Sequence, residues 1–274
     1  MPKGKEWMTI EIDGNKLEYE LKVDEHTGER HVVIKSGRET KGDLVIPEMI
    51  DGCPVTAIGD SSFFCCAGLT SVKIPDGVTY IGHLAFRSCA GLTSVAIPDS
   101  VKCIEHRAFN GCTGLTSVTI GKGVTRIAGE VFCGCRKLSD VAIHGNVSDL
   151  GLYAFGGCDK LADANGFFVR GGVLYGYFGG GGEITIPDGV TRIAPNVFYG
   201  RRDLTGVSMP DGLISIGAHA FGCCGGLKRV TLPDGLAEIG IGAFLACRSL
   251  VDITIPDSVT SIGERAFYDC ACKS

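Results

Sequence analysis

The sequence has no uninterrupted apolar run long enough to cross a bilayer, so direct membrane insertion is not expected. Neither sign of charge dominates. Lys and Arg number 26 against 31 Asp and Glu, and a net charge of −5 gives no pull toward nucleic acid. The opening stretch MPKGKEWMTIEIDG lacks the apolar segment of a secretory signal. That places the protein in the cytoplasm if Met1 is the native start, and at the cell surface or outside it if a signal was trimmed. No G-x-S-x-G, H-E-x-x-H or phosphate-loop pattern occurs, and the 14 cysteines include no paired C-x-x-C spacing. Neither an enzyme nor a cofactor or metal site is expected on those grounds. The 41 glycines follow no Gly-X-Y period, so they mark turns rather than a collagen helix. With 45% hydrophobic and 21% charged residues, the chain reads as folded rather than disordered.

What the sequence does contain is a repeat. Phenylalanines at 63, 86, 109, 132 and 155, then 198, 221, 244 and 267, recur every 23 residues, with one interval of 43. Nine units and one insertion follow, and the repeat decides the fold before any single motif does. The consensus is L-x-x-V-x-I-P-D-G-V-T-x-I-G-x-x-A-F-x-x-C-x-x. In LTSVAIP (Leu92–Pro98), Val95 and Ile97 alternate with Ser94 and Ala96, the pattern of a half-buried strand. Proline ends that strand, and P-D-G is a turn. V-T-x-I reads as a second short extended piece, and G-x-x-A-F-x-x-C as one tight helical turn. A unit of this size cannot bury its apolar face alone, so neighbouring units must stack.

The pattern resembles the BspA-like leucine-rich repeats, whose 23-residue units have the form IPDSVTSIGERAFYDC, present here at Ile255–Cys270. The resemblance runs from about Leu44 to the end of the chain. It implies a right-handed leucine-rich-repeat solenoid of the α/β-horseshoe type, β-rich with short helical turns, whose L-x-x-V-x-I strands form a parallel concave sheet. It also implies a non-catalytic binding or adhesion role, usually at a surface, toward a protein or glycan. A structural spacer or assembly unit is the alternative. Residues 1–43 do not repeat and read as a three-stranded N-terminal β cap on a solenoid spanning 44–274. The segment at about 163–185 reads as an inserted hairpin turning at Gly171–Gly172.

Cysteine occupies the position three after phenylalanine in eight units: Cys66, Cys89, Cys112, Cys135, Cys158, Cys224, Cys247 and Cys270, with Arg201 breaking the column. One residue type at one place in every coil is a structural ladder, expected to be buried and reduced. His83 and His106 share another position, without an evident carboxylate in their column, and read as surface decoration. The outward strand positions form two columns. One reads Ser71, Ser94, Ser117, Asp140, Gly206, Arg229, Asp252, and the other Lys73, Ala96, Thr119, Ala142, Ser208, Thr231, Thr254. Charge concentrates toward the last coils, so Lys73, Asp140, Lys228, Arg229 and Asp252 are the candidate partner-binding residues. Tyr175 and Tyr177 of the insertion join them as anchors if exposed, or pack with Phe167, Phe168 and Phe178 as a satellite cluster.

Overall fold

A computed structural model describes residues 7–272. The first six residues, part of the stretch searched for a signal, and the last two lie outside it. The chain forms two compact units, residues up to 147 with 153–160, and residues 148–152 with 161 onward. Each is a stack of β-solenoid coils.

In the first unit, β1 (Met8–Ile12), β2 (Asn15–Val23) and β3 (Arg30–Ser36) form an antiparallel meander. The β1–β2 turn is Asp13–Gly14, both left-handed at φ 49° and 74°, as a two-residue hairpin requires. From β3 onward the main line of pairing is parallel, with the short strand Met49–Ile50 turning back antiparallel on Cys53–Pro54. β3 pairs with Cys53–Ile58, and the V-T-x-I strands Tyr80–Ile81, Cys103–Ile104 and Arg126–Ile127 follow in register. The L-x-x-V-x-I strands form a separate parallel sheet, running from β4 (Gly42–Val45) through Leu69–Lys73, Ser94–Ile97 and Ser117–Ile120 to Asp140–Ile143. The second unit repeats this plan. Gly182–Thr185, Leu204–Ser208 and Arg229–Thr231 make one parallel sheet. Arg192–Ile193, Ser215–Ile216, Glu238–Ile239 and Ser261–Ile262 belong to the other. The expected single sheet of L-x-x-V-x-I strands is therefore two sheets, one in each unit.

The insertion does not hang from the solenoid. Its arms, Phe167–Arg170 and Val173–Tyr177, do pair antiparallel around Gly171–Gly172. The second arm then pairs parallel with Arg192–Ile193, taking the place of a V-T-x-I strand. The hairpin is thus part of a coil.

The third side of each coil departs from expectation. Among the described residues the one helical element is the short 3-10 turn Asp159–Leu161, and G-x-x-A-F-x-x-C is not a helical turn. Residues two before and two after each phenylalanine are left-handed, for example Leu84 (φ 57°) and Ser88 (φ 60°) around Phe86. The backbone hydrogen bonds explain why. The N–H groups of Leu84, Phe86 and Ser88 donate outward, to the carbonyls of His106, Ala108 and Asn110 in the next coil, at 3.2, 2.7 and 2.8 Å. Those of Arg87 and Cys89 close local turns on Leu84 and Phe86. A helix would turn every donor inward. Alternating left-handed kinks instead make the corner a third line of pairing between coils.

Inside that corner the phenylalanine rings stack face to face. Phe63, Phe86, Phe109, Phe132 and Phe155 are separated by 5.0, 5.0, 5.5 and 5.4 Å. Phe198, Phe221, Phe244 and Phe267 continue the pattern in the second unit at 4.8, 5.2 and 5.4 Å. Gly37 ends the first ladder, because a Cβ there would lie 2.3 Å from the Phe63 ring.

Candidate binding face

The cysteine column faces inward. Cys89, Cys112, Cys135 and Cys158 donate S–H to the carbonyls of Phe63, Phe86, Phe109 and Phe132, one coil back, at 3.0–3.3 Å. Cys224, Cys247 and Cys270 do the same to Phe198, Phe221 and Phe244, and Cys66 donates to Gly37. All fourteen cysteines are free thiols, and seven of the ladder's eight are buried, Cys270 being partly exposed. Hydrogen bonding with the neighbouring thiol, together with burial, pushes Cys66, Cys135 and Cys247 well above the ordinary thiol range. Burial pushes Cys224 up to about 12. Such thiols are poor nucleophiles.

Arg201 breaks the column and binds a different carbonyl. Its Nη2 donates to the carbonyl of Gly179 at 2.9 Å, while Nε and Nη2 grip the Asp203 carboxylate at 2.9 and 2.8 Å. The guanidinium lies 5.0 Å from the centre of the Tyr177 ring. Tyr177 packs against Phe167 and Phe198, and its hydroxyl donates to Gly180. Tyr175 is 6% exposed and packs on Phe168. Tyr175 is therefore buried and Tyr177 partly so, and both pack with the insertion's other aromatics, as the satellite-cluster alternative has it. They pack there because the hairpin is a coil segment.

The outward positions of the L-x-x-V-x-I sheets line up as the repeat requires. In the first unit Asp43, Ser71, Ser94, Ser117 and Asp140 stand in register, beside Val45, Lys73, Ala96, Thr119 and Ala142. Lys73 and Asp140 are both exposed, with two strands between them. The Asp43 carboxylate accepts the hydroxyls of Ser71 and Thr70 at 2.7 and 2.8 Å, which holds its pKa below the usual range. The first-unit face is thus a field of hydroxyls and small side chains with charge at its margins.

The second unit is more polar. Glu183, Gly206, Arg229 and Asp252 form one column, and Arg229 pairs in parallel with Asp252 through an isolated bridge. Lys228 is exposed beside them. Arg229 and Glu183, each more than 60% exposed, form an ion pair that spans the intervening strand. They meet because Gly206 lies between them: a Cβ there would approach Glu183 Cγ to 3.3 Å and Arg229 Cγ to 3.5 Å. Lys228, Arg229 and Asp252 are thus brought together, with Glu183 as a fourth member that the repeat alignment had left out. Its signal was available, since GEITIP fits the strand consensus and puts Glu183 two periods before Arg229.

The other sides of the first unit's coils carry their own pairs. Arg126 binds Glu105 at 3.0 Å, and Arg107 binds Glu130 through two hydrogen bonds at 3.0 and 2.8 Å. His106 lies 5.7 Å from His83 and 3.9 Å from the Glu130 carboxylate, which supplies the carboxylate neighbour not evident in the sequence. Among the described residues no group of three or more His, Cys, Asp or Glu is placed to hold a metal ion. No helix there is long and apolar enough to cross a membrane.

Comparison with known families agrees with the coil geometry. The model of the BspA type leucine rich repeat region matches residues 53–166 and 181–274 in six copies. Among solved structures, a leucine rich cell surface protein from Faecalibacterium prausnitzii is 27% identical, with 95% of this chain and 86% of that chain covered and a TM-score of 0.39. A leucine-rich repeat protein from Bacteroides ovatus is 25% identical, covering 96% and 92%, with a TM-score of 0.38. The pneumococcal vaccine antigen PcpA is 18% identical, covering 95% and 78%, with a TM-score of 0.43. No curated protein matches this sequence.

Proposed function

The chain belongs to the BspA-type leucine-rich repeat family, and from that premise we propose that it is a non-catalytic binding or adhesion module. Its partner is a protein or a glycan, and it docks on the outward face of the L-x-x-V-x-I sheets. The observation that carries this reading is the Glu183–Arg229–Asp252 column with Lys228 beside it. Glu183 and Arg229 stand on paired strands and Asp252 is bridged to Arg229, so these charges lose less freedom on docking than charges on a loop. Two acids and two bases also fix orientation better than one sign of charge does. The hydroxyl face of the first unit, with Lys73 and Asp140, offers hydrogen-bonding positions at regular strand spacing.

The test begins with binding of the purified chain to arrays of glycans and surface proteins. Against the strongest hit, Arg229→Glu is expected to weaken association about tenfold. Arg126→Glu, on a V-T-x-I strand and paired with Glu105, is expected to leave it unchanged. Equal effects at both positions remove this face as the binding surface.

One observation favours the spacer alternative. The coil from 251 to 268 exposes Val251 and Tyr268 at 65% each, Ile262 at 50% and Ile255 at 40%. An apolar surface of that kind supports association between chains. Loss of all array binding, with retained association through this coil, would put assembly ahead of adhesion.

A further inference from the structure

We propose that the outer edge of β1 is a self-pairing site, through which two copies of this chain join antiparallel with Ile10 facing Ile10. Among the described residues, β1 pairs with β2 and with no other strand. The geometry of the β1–β2 hairpin decides which backbone groups remain open. A two-residue turn at Asp13–Gly14 makes Ile12 and Asn15 a hydrogen-bonded pair. Alternation then makes Ile10–Leu17 and Met8–Tyr19 hydrogen-bonded pairs too, so the N–H and C=O groups of Thr9 and Glu11 point away from β2.

An antiparallel partner must therefore use Thr9 and Glu11, and the second copy offers the same two residues. Three symmetric registers are possible. Thr9 opposite Thr9 leaves Glu11 facing the apolar Trp7, and Glu11 opposite Glu11 sets like charges against each other. Thr9 opposite Glu11 avoids both and forms four backbone hydrogen bonds. In that register Met8, Ile10 and Ile12 of one copy meet Ile12, Ile10 and Met8 of the other on one face. That face continues the side of the sheet on which Leu17 and Tyr19 are buried. Met8 is 38% exposed, and Ile10 and Ile12 are only partly buried, so a second β1 would cover apolar surface that one copy leaves open. The edge has no proline, no lysine and no bulge against β2, and Glu11 is the one charged side chain within β1.

Five residues on each side make a small interface, so association is expected to be weak and dependent on concentration. Sedimentation equilibrium of the full chain, up to about 1 mM, reads it. The expected result is a monomer–dimer equilibrium. Thr9→Pro removes an N–H that points outward and leaves the β1–β2 ladder intact, so it should abolish the dimer while the melting temperature holds. Thr9→Lys sets a cation opposite the second copy's Glu11 and should tighten the dimer about threefold or more. A chain that stays monomeric throughout, or a dimer indifferent to Thr9→Pro, overturns the proposal. A dimer weakened or unchanged by Thr9→Lys overturns the register. Should Thr9→Pro perturb folding, the sign of the Thr9→Lys effect decides alone. Pairing of this edge with an unrelated extended peptide, without self-association, also counts against it.

Discussion

The corner column and the outward sheet column repeat at the same interval, yet they are filled very differently. At the corner, eight of nine coils use cysteine, and the ninth uses Arg201, which also reaches back to a carbonyl of the preceding segment, that of Gly179. On the outward face the second unit runs Glu183, Gly206, Arg229, Asp252, a different residue in every coil. The corner must satisfy a carbonyl and fit beneath a stack of rings separated by about 5 Å, and few side chains can do both. The outward face meets only water and its in-register neighbours, so it can carry chemistry without disturbing the coil. Stability is thus concentrated inside the coil, and the outside is left free to vary.

Substitutions can break or sharpen that contrast. The largest effect is expected for Phe109→Ala, which opens a cavity between Phe86 and Phe132 in the ring stack. It should lower unfolding free energy by about 3–5 kcal/mol in urea titrations. Arg229→Glu should change it by roughly 0.5 kcal/mol or less. Arg201→Ala comes next, at about 1–3 kcal/mol, because it strips a donor from Gly179 and the cation from Asp203 and uncovers the Tyr177 ring. Part of that loss should depend on pH. The hydrogen bond from Arg201 holds the Asp203 carboxyl below its ordinary value. Its contribution is therefore present above the unfolded pKa and disappears as pH falls through the lower, folded one. With Asp203 about half exposed, solvent screening keeps that part to a few tenths of a kcal/mol. Cys112→Ala should cost about 1 kcal/mol, since the Phe86 carbonyl keeps the Cys89 N–H when the thiol bond goes. Arg201→Ala costing less than Cys112→Ala would contradict that order.

Much of this was legible in the residues. The 23-residue recurrence of phenylalanine gave the coil, the Ser–Val–Ala–Ile alternation gave the strands, and Gly171–Gly172 gave the hairpin. The corner was misread as helical for a physical reason. The residues in left-handed conformation there include Leu84, Arg107, Glu130 and Tyr153, types that seldom adopt it and so leave no trace in composition. Only the pull of hydrogen bonds to the next coil sets that geometry. What settles Tyr175 as packed rather than exposed was hidden similarly. Its strand position depends on pairing with Arg192–Ile193, beyond the interruption of the repeat. The Glu183–Arg229 pair joins residues 46 apart, and it emerges only once the insertion's last strand is aligned with the others.

The central claim, that the outward L-x-x-V-x-I face is where a partner docks, is most directly tested by hydrogen exchange with and without the strongest array binder. Docking there should slow exchange in Gly182–Thr185, Leu204–Ser208 and Arg229–Thr231. Ser215–Ile216 and Glu238–Ile239, in the other sheet, should exchange as in the free chain. Protection confined to those two strands, with the first three unchanged, would contradict the account.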